Sequence, residues 1–210
     1  MTKGAETRSR ILDSAQTIVL AKGFSGSSID EIISAAGITK GGFFYHFRGK
    51  ADLGRALMER YLEQDEAFFS AVIERAEELV DDPLQRVLVF LKLYAEAMAD
   101  LPGVHPGCLV ASFAYESQQF DPAVQELAAA GVQSWREIFR SRFAPVMAQY
   151  PMTRKVELDE LADMLTAIME GGIVLSRVMN DPQILVQQLL QYRSYVQLLF
   201  GDTEFGDTER

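Results

Sequence analysis

Apolar residues recur at spacings of three and four positions along nearly the whole 210-residue chain. This spacing is typical of amphipathic α-helices, and no stretch shows the strict alternation or the β-branched runs that predict strands. Glycine and proline separate the periodic stretches. We therefore predict an all-α fold of about nine helices. The predicted helices run from Glu6 to just before Gly23, and then over about 28–35, 39–47, 50–79, 84–100, 107–118, 122–149, 157–179 and 183–200.

Two short predicted helices and the turn between them carry the signals of a helix-turn-helix. Ser28, followed three positions later by Glu31, has the capping-box signature of a helix start. Gly37 permits the positive φ of a tight turn, and Thr39 is placed to cap the next helix. In a helix-turn-helix the second helix enters the major groove of DNA. We therefore place such a motif at about 28–47.

The third predicted helix contains two adjacent glycines, Gly41 and Gly42. A glycine inside a helix costs about 0.5–1 kcal/mol relative to alanine, so something other than helix stability is expected to have selected them. A helix without side chains at these positions lets its backbone approach base edges and the sugar-phosphate chain. Phe43 and Phe47 are expected to pack this helix onto its neighbours.

The charge is distributed unevenly along the chain. The whole sequence has a formal net charge of −10, which by itself argues against binding to nucleic acid. Residues 1–50, however, carry seven Lys or Arg and four Asp or Glu, a net charge of +3 that leaves −13 for the remainder. A basic end on an acidic body favours DNA contact through one face only.

The N-terminal part of the chain resembles the DNA-binding domain of the TetR family of transcriptional regulators. The resemblance covers about 6–53 and rests mainly on the run 37–53, which reads GITKGGFFYHFRGKADL. The remainder matches in length, helix count and acidity, with a local similarity at 107–110 to regulators that handle small organic or electrophilic compounds. The resemblance implies a homodimer that binds operator DNA, and a repressor that is released when a small organic effector binds the C-terminal domain. Effector binding within 84–179 is then expected to move the fourth helix, 50–79, and thereby to change the distance between the DNA-binding domains of the two subunits, which we call the reading heads.

Site residues in the DNA-binding domain follow from the resemblance position by position. Thr39 and Lys40 match residues that meet phosphate and base edges, and Lys50 matches a phosphate-contacting lysine. The sequence departs from the common pattern at Phe44, often Tyr, and at Gly42, often Ser, Thr or Ala. Lys40 and Lys50 could instead be solvated surface charges. Ser27 and Ser28 could instead serve mainly as helix caps. The expected DNA-contacting set is Ser27, Ser28, Thr39, Lys40, Gly41, Gly42, Phe44, Tyr45, His46 and Lys50.

Residues 54–200 are expected to form the ligand-binding and dimerisation domain. Aromatic and methionine side chains in its middle helices are candidates for an effector pocket, although they are also the default filling of a helical bundle. Glu116 has the alternatives of fixing a polar group of a ligand or being a solvated surface charge. The candidate pocket residues are Tyr94, Met98, Cys108, Phe113, Glu116, Trp135, Phe139 and Met169.

The last two predicted helices, with their apolar and small residues, are expected to pair with those of a second subunit in a four-helix bundle. The alternative is that the same surface packs inside a monomer. The expected dimerisation residues are Leu161, Leu165, Ile168, Gly172, Leu185, Leu189 and Val196.

Other function classes find less support. Cys108 is the single cysteine, so it forms no internal disulfide; with His105 it is either a reactive thiol sensor or a buried inert residue. The common hydrolase, phosphate-binding and zinc-protease motifs are missing, so we expect no catalytic residue, metal or cofactor. A helical scaffold without DNA affinity stays open as an alternative. With no membrane-length apolar run and no signal-peptide core, we expect a cytoplasmic protein, with a disordered tail over 201–210.

Overall fold

The computed structural model describes residues 2–116, 118, 120 and 122–201. Within these residues every regular element is a helix, and the nine α-helices confirm the prediction of an all-α fold. The predicted tail lies outside the described residues except for Gly201, which caps the last helix. The helices are α1 (Lys3–Lys22), α2 (Ile29–Ala36), α3 (Lys40–His46), α4 (Lys50–Leu79), α5 (Pro83–Ala99), α6 (Leu109–Tyr115), α7 (Pro122–Gln149), α8 (Leu158–Met179) and α9 (Gln183–Phe200).

Helices α2 and α3 each begin after a residue whose side chain caps the helix, as the sequence predicts. The hydroxyl of Ser28 accepts a hydrogen bond from the Glu31 amide at 3.2 Å, and that of Thr39 accepts one from the Gly42 amide at 3.1 Å. These bonds satisfy backbone donors that the first helical turn leaves without partners. The carboxylate of Glu31 forms an ion pair with Lys22, at the end of α1, at 2.5 Å. It therefore binds this lysine instead of accepting the Ser28 amide that would complete the capping box.

Helix α6 is shorter than the predicted helix over 107–118. Gly107 has φ +124°, which keeps it out of the helix, and Cys108 is the extended N-cap residue. At the other end, Glu116 leaves the helical conformation with φ −108° and ψ 24°. The helix therefore has only seven residues.

The chain divides into two compact units. The first comprises the described residues of 2–67 and 106–132, and the second comprises those of 68–105 and 133–201. Helices α4 and α7 contribute residues to both units, so the predicted domain boundary after residue 53 does not coincide with the division by packing and stays a prediction. No helix among the described residues is long and apolar enough to cross a membrane.

The core of the first unit joins the three N-terminal helices. Phe43 and Phe47 are 0% and 2% exposed, which confirms that they pack α3 onto its neighbours. Burying a side chain of this size stabilises the folded state by about 1.5–3 kcal/mol. The buried apolar residues around them are Ile11, Leu12, Ala15, Val19, Ile32, Leu53 and Leu57.

In the second unit, α9 packs against α5 and α8. The hydroxyl of Tyr192 donates to the carbonyl oxygen of Leu161 at 2.7 Å, and a side chain at Gly172 would collide with Leu185. The apolar residues on the facing sides of α8 and α9 are therefore buried against each other within one chain. This corrects the expectation that they contact a second subunit. The residues concerned are Leu161, Leu165, Gly172, Leu185, Leu189 and Val196, whereas Ile168 is half-buried.

Candidate nucleic-acid interface

The turn between α2 and α3 has the backbone geometry that the sequence predicts. Gly37 adopts the left-handed conformation, with φ +62° and ψ 42°, and its amide donates back to the end of α2. The amide of Ile38 donates to the carbonyl oxygen of Ile33 at 3.2 Å, which completes the turn. Because an L side chain is strained at such a φ, glycine is the residue that closes this turn at least cost.

The two faces of α3 have opposite character. One face buries Phe43 and Phe47, while the other presents Phe44 and Tyr45 with 47% and 81% of their surface exposed. The ring of His46, at the end of the helix, lies 4.9 Å from the ring of Tyr45. A cluster of exposed aromatic groups, unlike a single exposed residue, marks an interaction site. The outward face of α3 is therefore suited to contact a partner.

Packing does not require the two glycines of α3. A β-carbon at Gly41 would meet no atom within 4 Å, and one at Gly42 would lie 3.4 Å from the hydroxyl oxygen of Thr39. Both positions have space for alanine, which stabilises a helix more than glycine does. The structure thus offers no internal reason for the glycine pair and leaves the outer surface of the helix start uncovered.

Lys40 stands at the start of α3, and its Nζ lies 3.6 Å from a carboxylate oxygen of Asp30. Both side chains are largely exposed, and an exposed pair of this kind contributes at most about 1 kcal/mol. The ammonium group is therefore available to exchange this carboxylate for a phosphate.

Lys50 is bound to the loop between α1 and α2. Its Nζ donates to the carbonyl oxygen of Ser27 at 2.7 Å and to that of Ser25 at 3.4 Å, and it lies 4.6 Å from the centre of the Phe24 ring. Burial lowers the pKa of Lys50, and the charge of Glu116 partly offsets that effect. Two donors of the Lys50 ammonium group thus already hold the loop. The phosphate contact that the resemblance implies for this lysine is an alternative that the structure does not test.

Ser27 and Ser28 have different positions. Ser27 is 5% exposed and its hydroxyl donates to the carbonyl oxygen of Phe24 at 2.6 Å, so this side chain is not placed to meet DNA. Its inclusion among the DNA contacts is corrected for that reason. Ser28 is exposed at the start of α2 and keeps its cap role.

Glu116 is a residue of this region whose position the sequence did not predict. Its carboxylate accepts hydrogen bonds from the amides of Phe24 at 2.8 Å and Ser25 at 2.7 Å. Burial raises the pKa of Glu116, but these hydrogen bonds, the Ser25 hydroxyl and the charge of Lys50 outweigh it, so the pKa lies below its ordinary value. Glu116 therefore holds the loop after α1, in place of the ligand or solvent contact expected from the sequence.

Three aromatic rings lie beside this contact. Phe113 and Phe120 stack with ring centres 4.0 Å apart, and Phe24 lies 5.4 Å and 4.5 Å from them. The end of α1 is thus held to α6 by apolar packing as well as by the Glu116 carboxylate.

The predicted pocket residues fall into two groups. In the second unit, the hydroxyl of Tyr94 lies 2.9 Å from the sulfur of Met169, and the rings of Tyr94 and Phe139 both contact Phe69. Trp135 is buried and Met98 is half-buried in the same unit. Cys108, Phe113 and Glu116 belong to the first unit.

Cys108 is buried, and its Sγ accepts a hydrogen bond from the Ala111 amide at 3.4 Å. This placement agrees with the alternative of a structural thiol in the core, and a buried thiol is poorly placed to meet an external oxidant.

Both units contain cavities. One cavity of the first unit, of about 290 Å³, lies between α6 and the beginning of α7, where Phe113 is the lining residue that the sequence proposed. Its other lining residues include Val110, Phe120, Val124, Gln125 and Ala128. Another, of about 330 Å³, lies between α1 and α4 and is lined mainly by polar and charged side chains, among them Arg8, Glu59 and Arg60. The cavity of the second unit, of about 70 Å³, is lined by none of the predicted pocket residues; its walls include Ile73, Arg86, Phe90, Arg142 and Pro145.

Two family models match the chain. The model described as bacterial regulatory proteins, tetR family, matches residues 11–57, and the model described as tetracyclin repressor-like, C-terminal domain, matches residues 83–190. The first of these ranges contains the helix-turn-helix and the second contains most of α5 to α9.

Individual proteins are similar over most of the chain. The transcriptional regulator AcuR of Cereibacter sphaeroides is 29% identical over 77% of this chain and 72% of its own length. The HTH-type transcriptional repressor DhaR of a Mycobacterium species is 24% identical over 87% of this chain and 88% of its own. Among solved structures, a TetR transcriptional regulator from Chloroflexus aurantiacus is 26% identical, covers 95% of this chain and 98% of its own, and superposes with a TM-score of 0.79.

Proposed function

Because this chain belongs to the TetR family of transcriptional regulators, we propose that the outward face of α3 reads its operator in the major groove of DNA. The protein is a DNA-binding regulator and not an enzyme, and the rival interpretation as a scaffold without DNA affinity falls with the family assignment. Partners of the family are operator DNA, a small-molecule effector and a second subunit.

The observation that carries the proposed reading face is the contrast across α3. The helix is anchored through Phe43 and Phe47, while the exposed Tyr45 and the uncovered Gly41 and Gly42 point away from the core. A helix anchored on one side and bare on the other presents its backbone and aromatic groups to a groove. The contacts we propose are made by Ser28, Thr39, Lys40, Gly41, Gly42, Phe44, Tyr45 and His46.

The second subunit is proposed to cover the outer face of α8. Val178 is 77% exposed, although valine prefers the interior of proteins. It belongs to a set of exposed apolar or small residues spaced by three and four positions, which we call the outer α8 stripe: Met164, Ala167, Gly171, Val174, Leu175 and Val178. An isologous contact between two such stripes would remove this apolar surface from water. The resulting dimer would present two reading helices, one for each half-site of the operator.

The effector is proposed to bind in the cavity between α6 and the beginning of α7. A volume of about 290 Å³ suits a small organic molecule, and the lining is apolar apart from the Gln125 amide. Such a site favours an uncharged molecule with at most one or two polar groups. By shifting the population towards a form with low operator affinity, the effector would release a repressor from its DNA.

Selection of binding sites from a random DNA library by the purified protein tests the reading face. We expect enriched sequences that form an inverted repeat, because two symmetric heads read two half-sites. The Tyr45→Ala variant is expected to lose this enrichment while remaining folded. If wild-type protein enriches no sequence, or if the Tyr45→Ala variant enriches the same repeat equally well, the proposed reading face is wrong.

A further inference from the structure

The loop that connects α1 to α2, residues 23–28, is held from two sides by opposite charges. The carboxylate of Glu116 accepts the amides of Phe24 and Ser25, at 2.8 Å and 2.7 Å. The ammonium group of Lys50 donates to the carbonyl oxygens of Ser25 and Ser27. Backbone donors and acceptors of one short loop are thus satisfied by charged groups from α4 and from the end of α6.

The local backbone is adapted to the carboxylate. Gly23 ends α1 with φ +82°, and a β-carbon there would collide with the Oε1 of Glu116. A glycine at this point therefore lets the carboxylate approach the two following amides. Hydrogen bonds from backbone amides to an ionised carboxylate are about twice as strong as those between neutral groups.

The loop determines where α2 begins. Ser28, the N-cap residue of α2, follows it directly, and the buried hydroxyl of Ser27 is bonded back to the carbonyl oxygen of Phe24. Because α2 precedes α3 by a three-residue turn in the chain, a change in the loop alters the start of the motif that presents the reading helix.

We propose that Glu116 is a positioning residue for operator binding: its carboxylate fixes the loop between α1 and α2 in the form that presents α2 and α3 to DNA. Glu116 itself makes no contact with DNA in this account. The inference rests on the proposed function, because it concerns the affinity of the same reading head. In this proposal, the end of α6 is hydrogen-bonded directly to the loop that precedes the helix-turn-helix.

The test uses the sign of the change in operator affinity. Replacing Glu116 by glutamine removes one negative charge, and for electrostatic reasons alone this would strengthen binding to the DNA polyanion. Loss of the carboxylate bonds predicts the opposite, because a glutamine amide group facing a backbone amide offers a second donor where an acceptor is needed. We expect E116Q to bind operator DNA at least about tenfold more weakly than wild type, as the loss of a charge-assisted hydrogen bond implies.

Glu126 provides the matched control. It is exposed on α7 in the same compact unit, and E126Q makes the same change of charge. We expect E126Q to bind the operator as tightly as wild type or slightly more tightly. E116D keeps the charge and shortens the side chain by one methylene group, so it is expected to weaken binding without any change in net charge.

Operator affinity is measured by fluorescence anisotropy on the full chain, with circular dichroism to verify helix content and hydrogen exchange at the Phe24 and Ser25 amides. We expect faster exchange of these two amides in E116Q and E116D but not in E126Q. If E116Q loses its helix content, E116D decides the test. The inference is overturned if the folded variants bind the operator as tightly as E126Q or more tightly. Failure of wild-type protein to bind any operator would instead refute the proposed function.

Discussion

The Nζ of Lys50 donates a hydrogen bond to the carbonyl oxygen of Ser27 across 2.7 Å, and so ties the first turn of α4 to the residue that precedes the cap of α2. The resemblance to the family implied that this lysine contacts phosphate. The structure gives the ammonium group a role inside the protein that needs no DNA. The two roles have different consequences for the salt dependence of operator binding.

We predict that Lys50→Met weakens operator binding without changing its salt dependence. The variant loses the bonds to the loop, whereas a true phosphate contact in each of the two subunits would contribute about 1.8 to the slope of log K against log salt concentration. Anisotropy titrations from 50 to 200 mM salt measure this slope. A slope reduced by about 1.8 would establish Lys50 as a phosphate contact in both subunits.

Lys40→Met is the matched experiment on the reading helix. Because its ammonium group is exposed and only loosely paired with Asp30, we expect it to meet a phosphate in each of the two subunits, and its loss to lower the slope by about 1.8 for the dimer. The same titrations apply. An unchanged slope would mean that Lys40 is a solvated charge.

Tyr45→Ala should separate binding from stability. The side chain is 81% exposed, so its removal is expected to change the free energy of unfolding by no more than about 0.5 kcal/mol. Operator affinity is expected to fall at least tenfold. In contrast, Phe43→Ala, at a fully buried position of the same helix, is expected to cost about 3–5 kcal/mol of stability. Urea denaturation and anisotropy measure the two quantities, and an unchanged operator affinity in Tyr45→Ala would contradict the account.

Val178→Glu is expected to produce a folded monomer. A carboxylate in the outer α8 stripe would be buried without a partner in the dimer, but it would be solvated in the free subunit. Analytical ultracentrifugation gives the mass, and circular dichroism the helix content. Leu165→Ala, on the inner face of α8, is the control; it should cost about 2–5 kcal/mol of stability through packing within the chain. If Val178→Glu still sediments as a dimer, the proposed interface is wrong.

The half-buried His105 predicts a pH dependence of stability. Its burial, followed by the charge of Arg177, lowers its pKa below the ordinary value of 6.5. The unfolded chain then binds a proton at higher pH than the folded chain does, so the free energy of unfolding falls as the pH drops below about 6.5. The loss continues until the folded-state pKa is passed. Urea denaturation between pH 7.5 and pH 5 should give a shallower decline for His105→Gln; an identical decline would refute the assignment.

The helix-turn-helix could be predicted from the sequence because its determinants are local. Ser28 and Thr39 cap helices through amides three positions away, and Gly37 supplies a turn between neighbouring elements. The short range of these interactions makes them visible as spacing.

The contact between Glu116 and Phe24 could not be predicted, because 92 positions separate the two residues. The prediction of the dimerisation residues was wrong for a related reason. Periodicity identifies apolar faces of α8 and α9 but not what covers each face, and Leu161 and Leu189 meet their own chain while Val178 stays exposed.

The most direct test of the central claim is an anisotropy titration of the wild-type protein with its own upstream intergenic DNA and with a shuffled duplex of the same length and base composition. If the outward face of α3 reads an operator, the native duplex should bind at least about a thousandfold more tightly at physiological salt. Equal affinity for the two duplexes would contradict sequence-specific reading.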